Sequence, residues 1–264
     1  MHAKLVPLLG PLVGLLCTIA TPRAHGDPPA HARSDTTIVL VHGAWADGSS
    51  WDKVVPILEA KGYNVVAVHL PLTSTADDIA ATTRAIDQQP GEVVLVGHSY
   101  GGFVIGAAGN DPKVRSLVYI DAFALDEGET INGLSKGGAQ PAWANALRID
   151  GGGYAWLTLD IVEKDFAQDL SLAQQKLLAA KQGPIPVKSL DDPARDPAWK
   201  HKPSWYVRGT DDRIIPPAAQ NQMAKRMRAK MSDVDSGHVA MLSKPHEVAE
   251  AILQAAAPVN TASR

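Results

Sequence analysis

The feature that most constrains this chain is a serine on a predicted strand-to-helix turn. The apolar stretch 93–96 is followed directly by the residues GHSYGG, from Gly97 to Gly102. Glycines two positions before and two positions after Ser99 let neighbouring backbones approach, while the serine takes a strained conformation that exposes its hydroxyl. This G-x-S-x-G spacing is typical of a nucleophile elbow. We therefore predict that Ser99 is a nucleophile.

A glycine-rich turn between a strand and a helix also binds the phosphates of dinucleotides. That fingerprint needs glycine at its third position, so that the backbone can touch the pyrophosphate, and here the third position is Ser99. The spacing also occurs by chance in ordinary loops. The nucleophile interpretation therefore depends on a base and an acid elsewhere in the chain.

Short β-branched apolar runs alternate with helical patterns along most of the chain. Strands separated by helices form a parallel sheet that is covered by helices on both faces. The predicted fold class is therefore α/β, with a mostly parallel sheet. We predict strands at 37–41, 64–68, 92–96, 116–120, 204–207 and 231–234.

The alternation breaks over about 124–202, where glycines and prolines surround two or three helical patterns. We interpret this segment as an inserted, mainly helical cap. Its clearest helix is predicted over 171–182, with Leu172, Leu177 and Leu178 on one side, where they can pack against the sheet. Before the cap, a helix is predicted to begin at Thr75, since Asp78 follows three residues later in a capping-box arrangement.

The N-terminus has the pattern of a secretory signal peptide. Lys4 precedes an apolar run over 5–20, and a segment rich in proline and alanine follows. We predict a signal peptide over 1–32, ending in the A-x-A site at 30–32, and a single mature domain over 33–264. Competing cleavage sites lie at 18–20 and 24–26.

A membrane anchor is the alternative for this N-terminal run. The run is shorter than the roughly 20 residues that span a bilayer, and prolines and glycines interrupt it. We therefore expect a periplasmic or secreted protein with no stable membrane association after cleavage. The one cysteine, Cys17, lies in the predicted signal peptide, so neither disulfides nor thiol chemistry are expected in the mature protein.

Composition and motifs also bound the partners. The net charge is −3 and no basic run is present, which does not favour nucleic acid as a partner. The sequence has no H-E-x-x-H motif and its histidines are scattered, so we expect neither a metal nor an organic cofactor. The expected partner is a small-molecule substrate.

A serine hydroxyl is a poor nucleophile at neutral pH and needs an adjacent base, which a third group orients. Downstream of Ser99 the chain has three histidines, His201, His238 and His246. His201 precedes a predicted strand and would lie at the wrong end of the sheet, whereas His246 is expected to be solvated in the last helix. His238 follows the last predicted strand and is the predicted base.

Two adjacent carboxylates, Asp211 and Asp212, follow the predicted strand at 204–207. Adjacent side chains point apart, so only one of them can face the imidazole. At this point both are candidates for the acid.

A tetrahedral oxyanion needs backbone donors at a fixed position. One donor is expected from Tyr100, the residue after the nucleophile, and the other from Ala44, in the loop after the first strand. His42 is interpreted as a structural residue that braces the elbow. Aromatic side chains in the loops and the cap are candidates for the pocket wall: Trp45, Tyr100, Phe123, Trp143, Tyr154 and Trp156.

Together, four separated segments resemble the α/β-hydrolase superfamily, in particular the branch of plant methyl esterases, hydroxynitrile lyases and their bacterial esterase relatives. The resemblance implies an α/β-hydrolase fold with a cap over a small pocket. It also implies that the acid is the aspartate shortly before the proline, which is Asp212 here, with Asp211 as the alternative. The matching segments are 39–45, 94–102, 209–216 and 237–245.

The lyases of this branch carry a threonine after the first-strand histidine and a lysine after the catalytic histidine. Here those positions are Gly43 and Val239. Both departures favour a serine hydrolase that cleaves small carboxylic esters through an acyl-enzyme. The alternatives are a carbon–carbon lyase, a perhydrolase-like or haloperoxidase-like activity, and a non-catalytic binding protein on the same scaffold.

Overall fold

The computed structural model describes residues 35–135 and 142–257 of the chain. The predicted signal peptide over 1–32 lies outside these residues. A central sheet of six parallel strands has the order β2-β1-β3-β4-β8-β9. Its strands are β1 (Thr37–Val41), β2 (Asn64–Val68), β3 (Val93–His98), β4 (Val114–Ile120), β8 (Ser204–Gly209) and β9 (Lys230–Val234).

The central strands are apolar because helices cover both of their faces. Every residue of β1 and of β3 is buried, as expected for inner strands of a parallel sheet. Since all six strands run the same way, their carboxyl ends share one edge of the sheet. The predicted α/β class is confirmed, and each predicted strand lies within a few residues of an observed one.

In chain order, the helices of the main domain are α1 (Val55–Glu59), α2 (Thr75–Asp87), α3 (Tyr100–Ala108), α6 (Pro217–Arg226), α7 (Ala240–Ser243) and α8 (Pro245–Ala256). Helices α1, α2, α3 and α6 connect strands, and α7 and α8 follow the last strand, β9. Helix α3 follows β3 directly and is buried along almost its whole length. Within the described residues, no helix has both the length and the apolar character needed to cross a membrane.

The capping prediction for α2 was wrong by one residue. Ser74, and not Thr75, is the N-cap, because its Oγ accepts a hydrogen bond from the Asp77 N–H at 3.1 Å. Asp78 turns inward and accepts hydrogen bonds from the Leu72 N–H at 2.8 Å and the Tyr100 hydroxyl at 2.7 Å. The second acidic residue of the helix therefore ties α2 to the start of α3.

The insertion is mainly helical and also contains a small antiparallel sheet that was not predicted. This sheet has the order β5-β6-β7, with β5 at Arg148–Ile149, β6 at Tyr154–Trp156 and β7 at Ile185–Pro186. Strands of two or three residues are too short to show an alternating pattern. The helical segments of the insertion are α4 (Leu159–Ile161), a π-helical turn at Val162–Phe166, α5 (Leu172–Lys181), and short 3₁₀ turns at Asn132–Ser135, Ala142–Ala146, Val187–Asp191 and Ala198–Lys200.

Helix α5 does not bury the side that we expected. Leu178 is half-buried and packs against the core, whereas Leu172 is 53% exposed and Leu177 is 56% exposed, so the predicted packing was wrong for these two leucines. Positions five residues apart lie about 140° apart around a helix, so these side chains do not share a face. Gln175 is buried instead, and its Nε2 donates to the Ala167 carbonyl at 2.9 Å.

Candidate active site

Ser99 stands at the sharp turn between β3 and α3. Its φ is 52° and its ψ is −123°, a conformation that residues other than glycine rarely adopt. The two ends of the turn pack closely, since a Cβ added at Gly97 would lie 2.5 Å from the Gly101 carbonyl oxygen. Glycine at position 97 is therefore needed for the close approach. The strained turn presents Ser99 at the carboxyl edge of the sheet.

The structure brings the three predicted residues together in one hydrogen-bonded chain. Ser99 Oγ lies 2.9 Å from His238 Nε2, and His238 Nδ1 lies 2.8 Å from Asp212 Oδ2. When Nδ1 carries the proton and donates a hydrogen bond to Asp212, Nε2 is free to accept the Ser99 proton. The side chains of His238 and Asp212 are fully buried, which strengthens the interaction between them.

Asp212 is held by more than the imidazole. Its Oδ1 accepts the backbone N–H groups of Ile214 at 2.8 Å and Ile215 at 3.0 Å. Its Oδ2 accepts the Gln220 side-chain amide at 2.7 Å in addition to the His238 N–H. Four donors therefore stabilise this carboxylate and fix its orientation.

Asp211 has a different environment. Its side chain is 58% exposed and forms an ion pair with Arg213 at 3.1 Å. The two neighbouring carboxylates point apart, as their adjacency predicts. The structure therefore places Asp212, and not Asp211, against the imidazole of His238.

His98 holds the backbone of His238 by a hydrogen bond. Its Nε2–H donates to the backbone carbonyl of His238 at 2.8 Å, and the two rings lie 4.8 Å apart. Burial and the proximity of His238 hold the pKa of His98 well below its ordinary value, so this imidazole is neutral. The sequence analysis assigned no role to His98, although it is part of the elbow motif.

The sequence analysis also missed Gln220. This side chain is fully buried in α6, and its Nε2 donates to the Ile215 carbonyl as well as to Asp212. No motif marks a glutamine in this position. Its role arises because α6 folds back over the loop that carries Asp212.

Replacing Gln220 by leucine is expected to lower kcat about tenfold, because one hydrogen bond to a charged group contributes roughly 1.5–3 kcal/mol. The measurement is steady-state hydrolysis of a p-nitrophenyl ester. Gln222→Leu is the matched control, since Gln222 is exposed on the same helix. Equal activities for the two variants would show that Gln220 does not orient the acid.

The loop after β1 passes directly beside the nucleophile. A Cβ added at Gly43 would lie 2.8 Å from Ser99 Cβ. Ala44 and Tyr100 line the same cavity as Ser99, and within the described residues neither of their backbone N–H groups donates to a protein acceptor. The Tyr100 N–H is also the first of α3, where the helix dipole favours negative charge. Both backbone N–H groups are therefore suited to donate hydrogen bonds to an oxyanion.

Trp45 connects this loop to the cap. Its Nε1–H donates to the carbonyl of Ala155 in β6 at 2.9 Å. Its ring meets Trp143 edge to face, with the centroids 6.1 Å apart. The cap therefore stabilises the loop that carries the Ala44 N–H.

His42 braces this loop and not the elbow itself, which corrects our expectation. Its Nδ1–H donates to the Gly43 carbonyl at 2.8 Å, and its Nε2 accepts the Leu70 N–H at 2.9 Å. Burial lowers the pKa of His42 from 6.5 to about 4. The imidazole is therefore neutral at neutral pH and holds the loop through both of its nitrogens.

The low pKa of His42 predicts a pH-dependent stability. Between pH 6.5 and pH 4 the unfolded chain binds a proton at this residue that the folded protein does not bind. The contribution of His42 is therefore fully present above about pH 6.5 and is lost as the pH falls towards 4.

The free energy of unfolding can be measured with urea at several pH values in this range. As the pH falls, we expect it to decrease faster for wild type than for His42→Gln, by up to about 1.4 kcal/mol per pH unit. Glutamine does not titrate, so the difference between the two proteins isolates His42. Parallel pH dependences would contradict the prediction.

The cavity that reaches Ser99 has a volume of about 260 Å³. Four of the six predicted aromatic residues line it: Trp45, Tyr100, Phe123 and Trp143. None of the described residues that line it is charged. A larger cavity, of about 320 Å³, lies between α2, α3 and the end of the cap and contains none of the three residues of the hydrogen-bonded chain. The remaining walls of the cavity at Ser99 are mostly aliphatic, and include Ile131, Leu134, Leu147, Leu190, Ile214 and Ile215.

Tyr154 and Trp156 do not line this cavity, so their predicted place in the pocket was wrong. Both lie on β6, where the intervening Ala155 is fully buried. Alternate residues of a strand share a face, so these two aromatic side chains point away from the face of Ala155. Trp156 instead contacts Asp150, with Nε1 3.4 Å from the carboxylate.

A parallel sheet with a serine elbow after one strand, and an aspartate and a histidine after two later strands, defines the class of α/β hydrolases. The model of the alpha/beta hydrolase family matches residues 38–251, and the chain belongs to this family.

Known relatives extend over most of the chain. A pyrethroid hydrolase of Sphingobium wenxiniae is 29% identical over 243 residues, which cover 82% of this chain and 86% of the relative. Methylesterase 1 of Arabidopsis thaliana is 27% identical over 252 residues, 83% of this chain and 95% of the relative. The crystal structure of a pyrethroid hydrolase from Sphingobium faniae matches with a TM-score of 0.73 and 25% identity, covering 84% of this chain and 98% of that one. The resemblance stated from the motifs is therefore confirmed.

Proposed function

We propose that this protein is a serine hydrolase that cleaves small, uncharged carboxylic esters through an acyl-enzyme. The observation that carries the proposal is the chain Ser99–His238–Asp212, which opens into an apolar cavity beside two backbone N–H groups. The names of the relatives, a pyrethroid hydrolase and a methylesterase, support ester hydrolysis.

Acylation begins when His238 Nε2 takes the Ser99 proton and Oγ attacks the ester carbonyl carbon. The carbonyl oxygen becomes an oxyanion, which the N–H groups of Ala44 and Tyr100 stabilise. The imidazolium is stabilised by Asp212 and gives its proton to the departing alkoxide, which leaves as the alcohol. The acyl group is then bonded to Ser99.

Deacylation repeats these steps with water. His238 takes a proton from the water molecule, whose oxygen attacks the acyl carbon, and a second tetrahedral oxyanion forms at the same two N–H groups. The ester bond to Ser99 breaks, and His238 returns the proton to Oγ. The products are the carboxylic acid and the free enzyme.

The cavity limits the substrate in size and charge. Its volume of about 260 Å³ is below the 300–1,000 Å³ typical of pockets for drug-sized ligands. A charged group on the substrate would lose its hydration there without an opposite charge from the lining residues. Short, neutral esters therefore fit the site best.

The test compares p-nitrophenyl acetate, butyrate and octanoate with the p-nitrophenyl monoester of succinic acid, which is close to the butyrate in size but carries a negative charge. We expect the highest kcat/KM for the short neutral esters and a clearly lower value for the charged one. Labelling of Ser99 by a fluorophosphonate without hydrolysis of any ester would refute the proposed substrate class and turn attention to cyanohydrin or peroxide substrates. If neither labelling nor hydrolysis is seen, the enzymatic proposal is wrong.

We further propose that the protein is exported and acts in the periplasm or outside the cell. The support is the signal-peptide pattern over 1–32. The N-terminal sequence of protein recovered from a secreting host tests this, because a retained Met1 would contradict export by cleavage.

A further inference from the structure

Asp121 is a buried residue with a strained backbone, and it lies between Ser99 and the strand that leads to Asp212. Asp121 follows β4 directly, is fully buried, and has a φ of 44°. An aspartate in this region of φ is uncommon, and such strain persists only where the surroundings hold it. Asp121 is absent from the residues that line the cavity at Ser99. The mechanism above gives it no role.

The segment around Asp121 is bonded to the nucleophile on one side. The Ser99 N–H donates to the Ile120 carbonyl at 3.2 Å, and the Phe123 N–H donates to the Ser99 carbonyl at 3.1 Å. Both backbone groups of the nucleophile are therefore held by the residues that flank Asp121.

On the other side, Asp121 is bonded to the strand that leads to the acid. Its N–H donates to the Val207 carbonyl at 3.0 Å, and its Oδ1 accepts the Gly209 N–H. The fit is close, because a Cβ added at Gly209 would lie 2.9 Å from Asp121 Oδ1. The Asp121 side chain thus holds the end of β8, three residues before Asp212.

The same strand end is connected to the loop of the base. The Thr210 N–H donates to the Val234 carbonyl at 2.9 Å, and the Asp211 N–H donates to the Ser236 carbonyl at 3.0 Å. A shift at Gly209 would therefore move Asp212 relative to His238 as well as relative to Ser99.

The direction of the pKa shift of Asp121 agrees with this arrangement. Burial, and next the proximity of Asp212, raise the pKa of Asp121 well above its ordinary value, against the opposite effect of the Gly209 and Ala240 backbone amides. A protonated carboxyl group still accepts a hydrogen bond through its carbonyl oxygen. Protonation of Asp121 would avoid a second negative charge next to Asp212.

We propose that Asp121 is a positioning residue that holds the acid-bearing end of β8 in register with the nucleophile elbow. The inference rests on the proposed function, since it assigns Asp121 to the same reaction. Asp121 acts through Gly209 and does not contact the substrate.

Two variants isolate the hydrogen bond from the backbone strain. Asparagine and glycine both tolerate a positive φ, but only asparagine keeps an oxygen that can accept the Gly209 N–H. We expect Asp121→Gly to lower kcat about 30-fold, because a small misplacement of reacting groups is costly. Asp121→Asn is expected to stay within about threefold of wild type, since its amide oxygen preserves the contact.

The experiment measures kcat and KM with p-nitrophenyl butyrate and the rate of fluorophosphonate labelling of Ser99. In Asp121→Gly the labelling rate should fall with kcat, while KM stays within about twofold, because Asp121 does not line the cavity. Near-UV circular dichroism checks that the variants are folded. If Asp121→Gly does not fold, Asp121→Ser replaces it, because the shorter side chain cannot reach Gly209 in the same way.

Three results would overturn the inference: a kcat within threefold of wild type in the folded Gly or Ser variant, equal losses in that variant and in Asp121→Asn, or a change confined to KM. Labelling and hydrolysis by the wild-type protein distinguish a failure of this inference from a failure of the proposed function. Rapid labelling and hydrolysis by wild type, together with unaffected Asp121 variants, refute only the positioning role. Absent labelling and hydrolysis in wild type refute the proposed function itself.

Discussion

Ser99→Ala is expected to lower kcat for a short p-nitrophenyl ester by on the order of 10⁵-fold or more, because it removes the atom that forms the acyl-enzyme. The residual rate would come from binding and from the oxyanion donors, which the substitution leaves in place. KM should change little, since the hydroxyl is a small part of a cavity with mostly apolar walls. Fluorophosphonate labelling should disappear together with hydrolysis.

Ser232→Ala is the matched control for this experiment. Ser232 is exposed on β9, so its loss should leave kcat and labelling unchanged. A Ser99→Ala protein that keeps more than about one per cent of wild-type kcat would mean that hydrolysis proceeds without a covalent serine intermediate. The assay must use protein purified free of host esterases, because a contaminant of low abundance would give a similar residual rate.

Asp212→Asn is expected to lower kcat by about 10⁴-fold with the fold intact. The asparagine amide is close in shape to the carboxylate but does not stabilise an imidazolium. It can also donate to Nδ1 of His238, which places the proton on Nε2 and removes the acceptor for the Ser99 hydroxyl. The asparagine oxygen still accepts the Ile214 and Ile215 N–H groups. The Gln220 amide loses its acceptor on residue 212 but keeps the Ile215 carbonyl, so the loss is expected mainly in kcat and not in solubility.

Asp211→Asn is the control that the chain itself provides. Asp211 is adjacent in sequence but exposed and paired with Arg213, so kcat should stay within about twofold of wild type. Measuring kcat of both variants over a series of pH values adds a second comparison. If Asp211→Asn loses activity and Asp212→Asn does not, the assignment of the acid drawn from the geometry is wrong.

The strands could be predicted because the signals that specify them are local. Each central strand is a short apolar run bounded by polar or glycine-containing turns, and burial on both faces requires such a run. The predicted strands at 37–41 and 64–68 coincide with β1 and β2. The helix predicted over 171–182 contains α5, whose N-cap is Ser171.

Features that depend on how separate segments pack against each other could not be predicted. Gln220 reaches Asp212 only because α6 folds back over its own preceding loop, and His98 reaches the His238 carbonyl across 140 positions of the chain. The strands of the cap sheet are too short to be recognised from a pattern. Tyr154 and Trp156 were misplaced for that reason, since the face of a strand decides where its side chains point.

The sequence by itself determined the class of fold, identified Ser99 and His238 as residues that meet at the sheet edge, and narrowed the acidic partner of His238 to two adjacent aspartates. Strand patterns and the G-x-S-x-G turn act over a few residues, and parallel strands bring their carboxyl ends to one edge whatever the loops between them do. Only the tertiary structure decided the choice of Asp212 by contact, the support from Gln220, His98 and Asp121, and the walls of the cavity. These depend on which backbone and side-chain groups meet after packing, and the spacing of residues along a chain does not encode those distances.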